Sequence, residues 1–186
     1  MHMAAQKGHG SPTPSVMRRI MIIGGSGAGK STLARNLGAR LNLPVYHMDR
    51  EVHWLPGWVE RPAKDKAPIV TAIAARDEWV FEGGHSSTYR QRLARADLLI
   101  WVDAPFWRRL WRVTWRAVKG LGQSRPDLAD NCPETLKNLP EFWRFLWTTR
   151  KSAPEKLART YAEADLPKHH LRSFAEIDAF LERFPT

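Results

Sequence analysis

A chain of 186 residues, 43% hydrophobic and 26% charged, has the size and balance of one ordinary domain with a single core and leaves no room for two. Its longest apolar runs, 20–23 and 98–102, are of strand length, well short of the roughly 20 residues that cross a bilayer, so a soluble protein without a membrane partner is expected. The lone Cys132 excludes an intramolecular disulfide and a cysteine-rich metal site, reads as an incidental thiol before Pro133, and fits a cytoplasmic location. The formal charge of +10 calls for anionic partners such as nucleotides, phosphorylated substrates or nucleic acid.

Residues 1–16 are rich in Gly, Pro, Ser and His, lack the apolar stretch of a secretory signal, and are expected to be a disordered tail or a leftover of expression. The remainder, 17–186, reads as a single domain. The run 18–23 predicts a buried strand entering Gly24-Gly25, and Leu33, Leu37 and Leu41 give 30–41 a helical period that Pro44 stops. Residues 44–48 predict a second strand ending on Asp49. Pro56 and Gly57 mark 54–61 as a loop, and 63–76 reads as helix. A third strand, 78–82, runs into Gly83-Gly84, followed by a helix at 87–94 capped by Ser87. The fourth strand spans 97–103. A basic helix at 105–119 precedes a Gly- and Pro-containing loop, 120–133, and a long helical stretch, 135–164, with a break expected at Pro140. A fifth strand at 168–171 and a last helix with Phe174, Ile177 and Phe180 on one face complete the chain.

Alternating strands and helices imply right-handed crossovers and a parallel sheet covered on both faces, with ligands beyond the carboxyl ends of the strands. Three of those ends carry carboxylates, Asp49, Glu82 and Asp103, which are expected at one sheet edge. The same edge holds Gly24-Gly25-Ser26-Gly27-Ala28-Gly29-Lys30-Ser31-Thr32. This is the G-x-x-x-x-G-K-[ST] phosphate cradle between a strand and a helix. Its backbone N–H groups and helix N-terminus suit ATP phosphates, Lys30 the β and γ phosphates, and Ser31 a Mg²⁺ ion.

The cradle, the 44–49 strand, the Trp54-Leu-Pro-Gly-Trp58 loop, the Glu82-Gly83 strand end and the 125–134 loop (Arg-Pro-Asp-Leu-Ala-Asp-Asn-Cys-Pro-Glu) together resemble the FlaR-type "DNA topology modulation protein" group. That group is similar to adenylate kinases and other small P-loop kinases. The resemblance, which covers nearly everything from Met17 onward, implies an α/β fold of nucleoside monophosphate kinase type: five parallel strands flanked by helices, with a lid between the fourth and fifth. It further implies that Arg92 holds an acceptor phosphate and that Arg172-Ser173 meets the nucleotide base.

Phosphoryl transfer needs a phosphate cradle, a metal, a positioned acceptor and cations over the moving group. Beside Lys30, Asp49 is the candidate that orients an acceptor hydroxyl or holds Mg²⁺ through water. Glu82 or Asp103 suits a metal-bound water, and Asp103 suits equally well the cap of the basic helix. The lid is expected at about 108–134. Arg108, Arg112 and Arg116 recur at helical spacing, and Arg112 and Arg125 are the candidate catalytic cations. The segment 105–159 carries 12 basic against 5 acidic side chains, a surplus of seven. Trp54 and Trp58, in a loop, are acceptor-binding candidates together with Arg92 and Glu82. His47 and His53 suit either substrate contact or structure. Trp107, Trp111 and Trp115, and Trp143 and Trp147, read as aromatic stripes through which two helices pack; a platform for nucleic-acid bases is the alternative. The expected function is ATP-dependent phosphorylation of a small nucleotide- or nucleoside-like acceptor. A P-loop ATPase or nucleotide-binding regulator acting on DNA is the rival reading.

Overall fold

A computed structural model describes residues 17–184. The expected tail at 1–16 and the last two residues lie outside that range. Five strands form a fully parallel sheet: β1 (Arg19–Gly24), β2 (Val45–His47), β5 (Trp79–Glu82), β6 (Leu98–Val102) and β7 (Lys168–Leu171). Their order across the sheet is β2-β5-β1-β6-β7. Two short strands, β3 (Trp54–Leu55) and β4 (Val59–Glu60), make an antiparallel hairpin of their own. The helices are α1 (Lys30–Leu41), α2 (Ala63–Ala74), α3 (Tyr89–Leu93), α4 (Phe106–Lys119), α5 (Leu139–Thr149), α6 (Ser152–Glu163) and α7 (Phe174–Leu181).

The strand period of two sorts the sheet's side chains onto two cores. Ile20, Ile22, Val80, Leu98 and Ile100 face α1 and α7, where Leu33, Leu37, Ile177 and Phe180 meet them. Met21, Ile23, Trp79, Phe81 and Leu99 face the other way, onto Val70 and Ile73 of α2 and Leu157 of α6. Asp97, just before β6, fastens the entry of the central strand. Its Oδ2 accepts from the backbone N–H groups of Arg18 and Arg19 at 3.1 and 2.9 Å, and its Oδ1 from Arg19 Nη2 at 2.7 Å. Burial alone would raise this carboxyl; the Arg19 side chain and the two backbone donors outweigh it and hold Asp97 below its ordinary value.

Several sequence expectations change. Residues 54–61 are the β3–β4 hairpin rather than an irregular loop. The stretch 135–164 is two helices broken at Arg150 and Lys151, whereas Pro140 sits in the first turn of α5, where proline's missing N–H costs nothing. Ser87 does not cap a helix: Ser86–Thr88 is a 3-10 turn, and α3 begins at Tyr89 without a side-chain cap. Asp103 does not cap α4 either, whose N-cap position is Pro105.

Candidate active site

The cradle hangs between α1 and α4, and the packing explains two of its glycines. Gly27 has φ +79, which disfavours any side chain, and a Cβ there would lie 2.8 Å from the Arg109 carbonyl oxygen and 2.8 Å from Val113. At Gly25 the guanidinium of Arg109 stands where a Cβ would go. Arg109 Nε donates to the Ser26 carbonyl at 3.0 Å, so this buried side chain braces the loop from behind. It escaped the sequence reading, which followed Arg108, Arg112 and Arg116. The signal was there: Arg109, Val113 and Ala117 are the buried face of α4, and Arg109 is its one charged member. Lys30 Nζ donates to the Gly25 carbonyl at 3.1 Å, which folds the lysine over the cradle.

Beyond the cradle, Glu82 ends β5 and its Oε1 accepts both from Ser31 Oγ, at 2.9 Å, and from His47 Nδ1, at 2.9 Å. Burial would raise this carboxyl, but the bond from His47 and the charge of Lys30 hold it below its ordinary value. Glu82 is therefore a charged, buried anchor under Ser31. Asp103 turns elsewhere: its Oδ2 faces His170 Nε2 at 3.0 Å, on β7. Of the three strand-end carboxylates, Asp49 and Glu82 come together and Asp103 does not.

Asp49 opens a five-residue π-helical turn, Asp49–His53, a local distortion common at functional sites. Its side chain opens to solvent, yet the enclosing protein, and then the Glu82 carboxylate, raise its carboxyl above the ordinary value, while Lys30, His53 and Arg125 oppose them. A carboxylate of raised basicity thus faces the cradle's lysine across the cleft.

The segment after α4 folds down over this cleft. Arg125 Nη1 donates to Asp127 Oδ2 at 2.8 Å, and its Nε lies 2.7 Å from Glu134 Oε1 in an ionic contact whose angle is poor for a hydrogen bond. Asp127 was given no role by the sequence reading; it is buried, pairs with Arg125 and more loosely with Arg35, and borders Ser31. Arg116 meets Glu134 at 3.2 Å. Arg112 lies over the Phe174 ring, 4.4 Å from its centroid, and Phe174 in turn approaches Gly29, so Arg112 stays on the donor side. Phe174, Arg172 and Ser173 line a cleft with Ala28, Pro105 and Arg108 beside the cradle.

Trp54 and Trp58 are half-buried against the lid. They pack edge to face and close a small core with Leu128, Ala129 and Cys132 of the lid. Trp58 Nε1 donates to the Pro133 carbonyl at 2.9 Å, the Gly57 N–H to the Asn131 carbonyl at 3.1 Å, and Arg50 Nη1 to the Pro126 carbonyl at 2.9 Å. Cys132 is no incidental thiol: it is fully buried in that core and its Sγ meets the Trp58 N–H at 3.3 Å. Arg92 is also buried. Its Nη2 donates to the Gly83 carbonyl at 3.0 Å, it packs on the rings of Phe81 and Tyr89, and its Nε and Nη1 have no partner. Burial pushes its pKa down to about 10. His53 Nε2 lies 3.2 Å from the Gly84 carbonyl.

No family model matches the chain. It is 50% identical over 164 residues to a shikimate kinase of Blochmanniella floridana, an alignment spanning 80% of this chain and 84% of that protein. Among solved structures it is similar to the shikimate kinase from Acinetobacter baumannii in complex with shikimate, with a TM-score of 0.55 at 17% identity over 90% of each chain. It is similar also to a gluconokinase from Sinorhizobium meliloti 1021, with a TM-score of 0.52 at 18% identity over 89% of this chain and 92% of that one. These two likenesses show the fold. None of these three relatives carries the FlaR-type name suggested by the Trp loop and the 125–134 loop.

Proposed function

The chain belongs to the shikimate kinase family of P-loop kinases, which transfer a phosphoryl group from ATP to a small acceptor, and from that premise we propose which residues do so and what the acceptor looks like. Asp49 is the base. It accepts the proton of an acceptor hydroxyl as that oxygen bonds to the γ phosphorus and the bond to the ADP oxygen breaks. The observation that supports this role is the position of Asp49: open to the cleft, raised in basicity, and set against Lys30. Residues 24–32 hold the phosphates, Lys30 and Arg112 neutralise charge on the donor side, and Arg125 reaches the moving phosphoryl from the lid. Arg109 acts on the cradle and not on the substrate.

The donor set fits Mg²⁺. The Ser31 hydroxyl donates a hydrogen bond to Glu82, which leaves its oxygen lone pairs free for the ion, and Asp49, beside Glu82 and Lys30, is placed to meet a metal-bound water. When bound, the ion supplies charge that the β and γ oxygens share in the transition state.

The acceptor is a hydroxylated small molecule bearing an anionic group. Arg92 supports this reading, because two of its nitrogens, Nε and Nη1, are buried without partners, a costly state that an anion relieves. Arg92 is fully buried behind Gly83, where Met48 packs closely, so an anion reaches it only if this region opens on acceptor binding. Shikimate, a hydroxylated carboxylate, is the first acceptor to test, followed by gluconate. Nucleosides and nucleoside monophosphates, the acceptor class that the likeness of the 54–58 and 125–134 loops implies, are tested next. The test incubates the protein with ATP, Mg²⁺ and each candidate and identifies products by mass. A phosphorylated acid or nucleotide is expected; ATP hydrolysis with every acceptor unmodified would overturn the assignment.

A further inference from the structure

The aromatic stripes of α4 and α5 do not close on each other as the sequence led us to expect. Trp107, Trp111 and Trp115 on α4, and Trp143 and Trp147 on α5, remain between 42% and 67% exposed, together with Phe145. The helices touch through Phe106 and Trp147, and Trp143 Nε1 donates to Thr114 Oγ1 at 3.0 Å. Between them lies a groove of about 550 Å³ whose walls are almost wholly apolar and whose rim carries Arg144. Val118, Leu121 and Leu136 extend the apolar surface beyond the end of α4, each about half exposed. A patch of this extent marks an interaction site.

Its surroundings are cationic. Lys119, Arg144 and Lys151 are exposed on these helices and at the end of α5, with Glu141 the exposed acid on α5. We propose that this face docks on an anionic phospholipid surface, with the indoles at headgroup depth, an acyl chain in the groove, and the Lys and Arg side chains on the lipid phosphates. Tryptophan beside Lys or Arg on an amphipathic helix is the pattern of interfacial binding. The attachment is peripheral, since no described helix is long and apolar enough to cross a membrane. It revises the expectation of no membrane partner.

Two other occupants fit less well. A second copy related by a two-fold axis would set this cationic face against itself. Nucleic-acid bases need open ring faces, but Arg150 covers Trp147 at 4.1 Å from its centroid, Lys119 covers Trp115 at 5.0 Å, and Trp111 stacks on Trp115. Aliphatic Val118, Leu121 and Leu136 also offer a base nothing to stack on.

The test is flotation of the full chain with vesicles of phosphatidylcholine alone or with about 30 mol% phosphatidylglycerol. Expected is co-flotation with the anionic vesicles, about tenfold weaker on the neutral ones and weakened by salt. Trp111→Ala with Trp147→Ala, and separately Arg144→Glu, should each lower binding by about tenfold, while the melting temperature and ATP affinity stay those of the parent. Absence from the anionic vesicles, or equal flotation of parent and both variants, would overturn the proposal. So would a solution mass of two chains that the double tryptophan variant halves, or single-stranded DNA binding abolished by that variant from a protein that ignores vesicles.

Discussion

Asp49 is held in a state that costs the folded protein something. Its carboxyl is raised by its enclosure and by Glu82, so ionisation is harder in the folded chain than in the unfolded one. The contribution of such a group to stability is complete below its unfolded value and lost as pH rises through the higher folded value. At neutral pH, Asp49→Asn should therefore melt higher than the parent while kcat falls by about 10²- to 10⁴-fold. In the parent, kcat/KM should fall on the acid side at a pH above the ordinary carboxylate range, and this limb should vanish in the variant. A parent limb at or below that range would remove Asp49 as the base. Lys30→Ala should abolish turnover with the melting temperature retained. Arg109→Ala, by contrast, should chiefly raise KM for ATP, because it loosens the cradle from behind without touching the transferred group.

The elements were legible to different degrees, for reasons that lie in the packing. Both α1 and the buried strands were readable because continuous apolar runs and a leucine period of four are written locally. The β3–β4 hairpin was not. Its residues join a core supplied from more than seventy positions away, around Cys132, which composition does not announce. For the same reason the bond from Trp58 Nε1 to the Pro133 carbonyl could not be read from the loop's own residues. The strand-end rule located Asp49 and Glu82 but could not tell that β7 would offer His170 to Asp103. The Asp97 clamp gives a test at this scale. Asp97→Ala should lower stability by about 2 kcal/mol in thermal melts, through the loss of four charge-assisted bonds. Because Asp97 is held below its ordinary value, the difference between parent and variant is full above that value and disappears as pH falls through the lower folded one.

Across the whole molecule, the hairpin that follows Asp49 and the lid that carries Arg125 are one packed body. Acceptor and ATP should therefore each tighten the binding of the other, by the same factor. Trp58→Phe keeps the ring and removes the bond to Pro133, and calorimetric titration of ATP with and without acceptor should show that factor reduced by about fivefold. An unchanged factor would mean that the two halves move independently. The helix α4 has a related double allegiance. Its inner side, through Arg109 and Val113, sets how closely the glycine loop can be approached, and its outer side is the tryptophan ridge. A rigid rod of 14 residues cannot be displaced at one side only. If the ridge docks as proposed, whatever grips it would also hold the floor on which the nucleotide rests, and the rate at which ATP enters and ADP departs would then depend on where the enzyme is lodged.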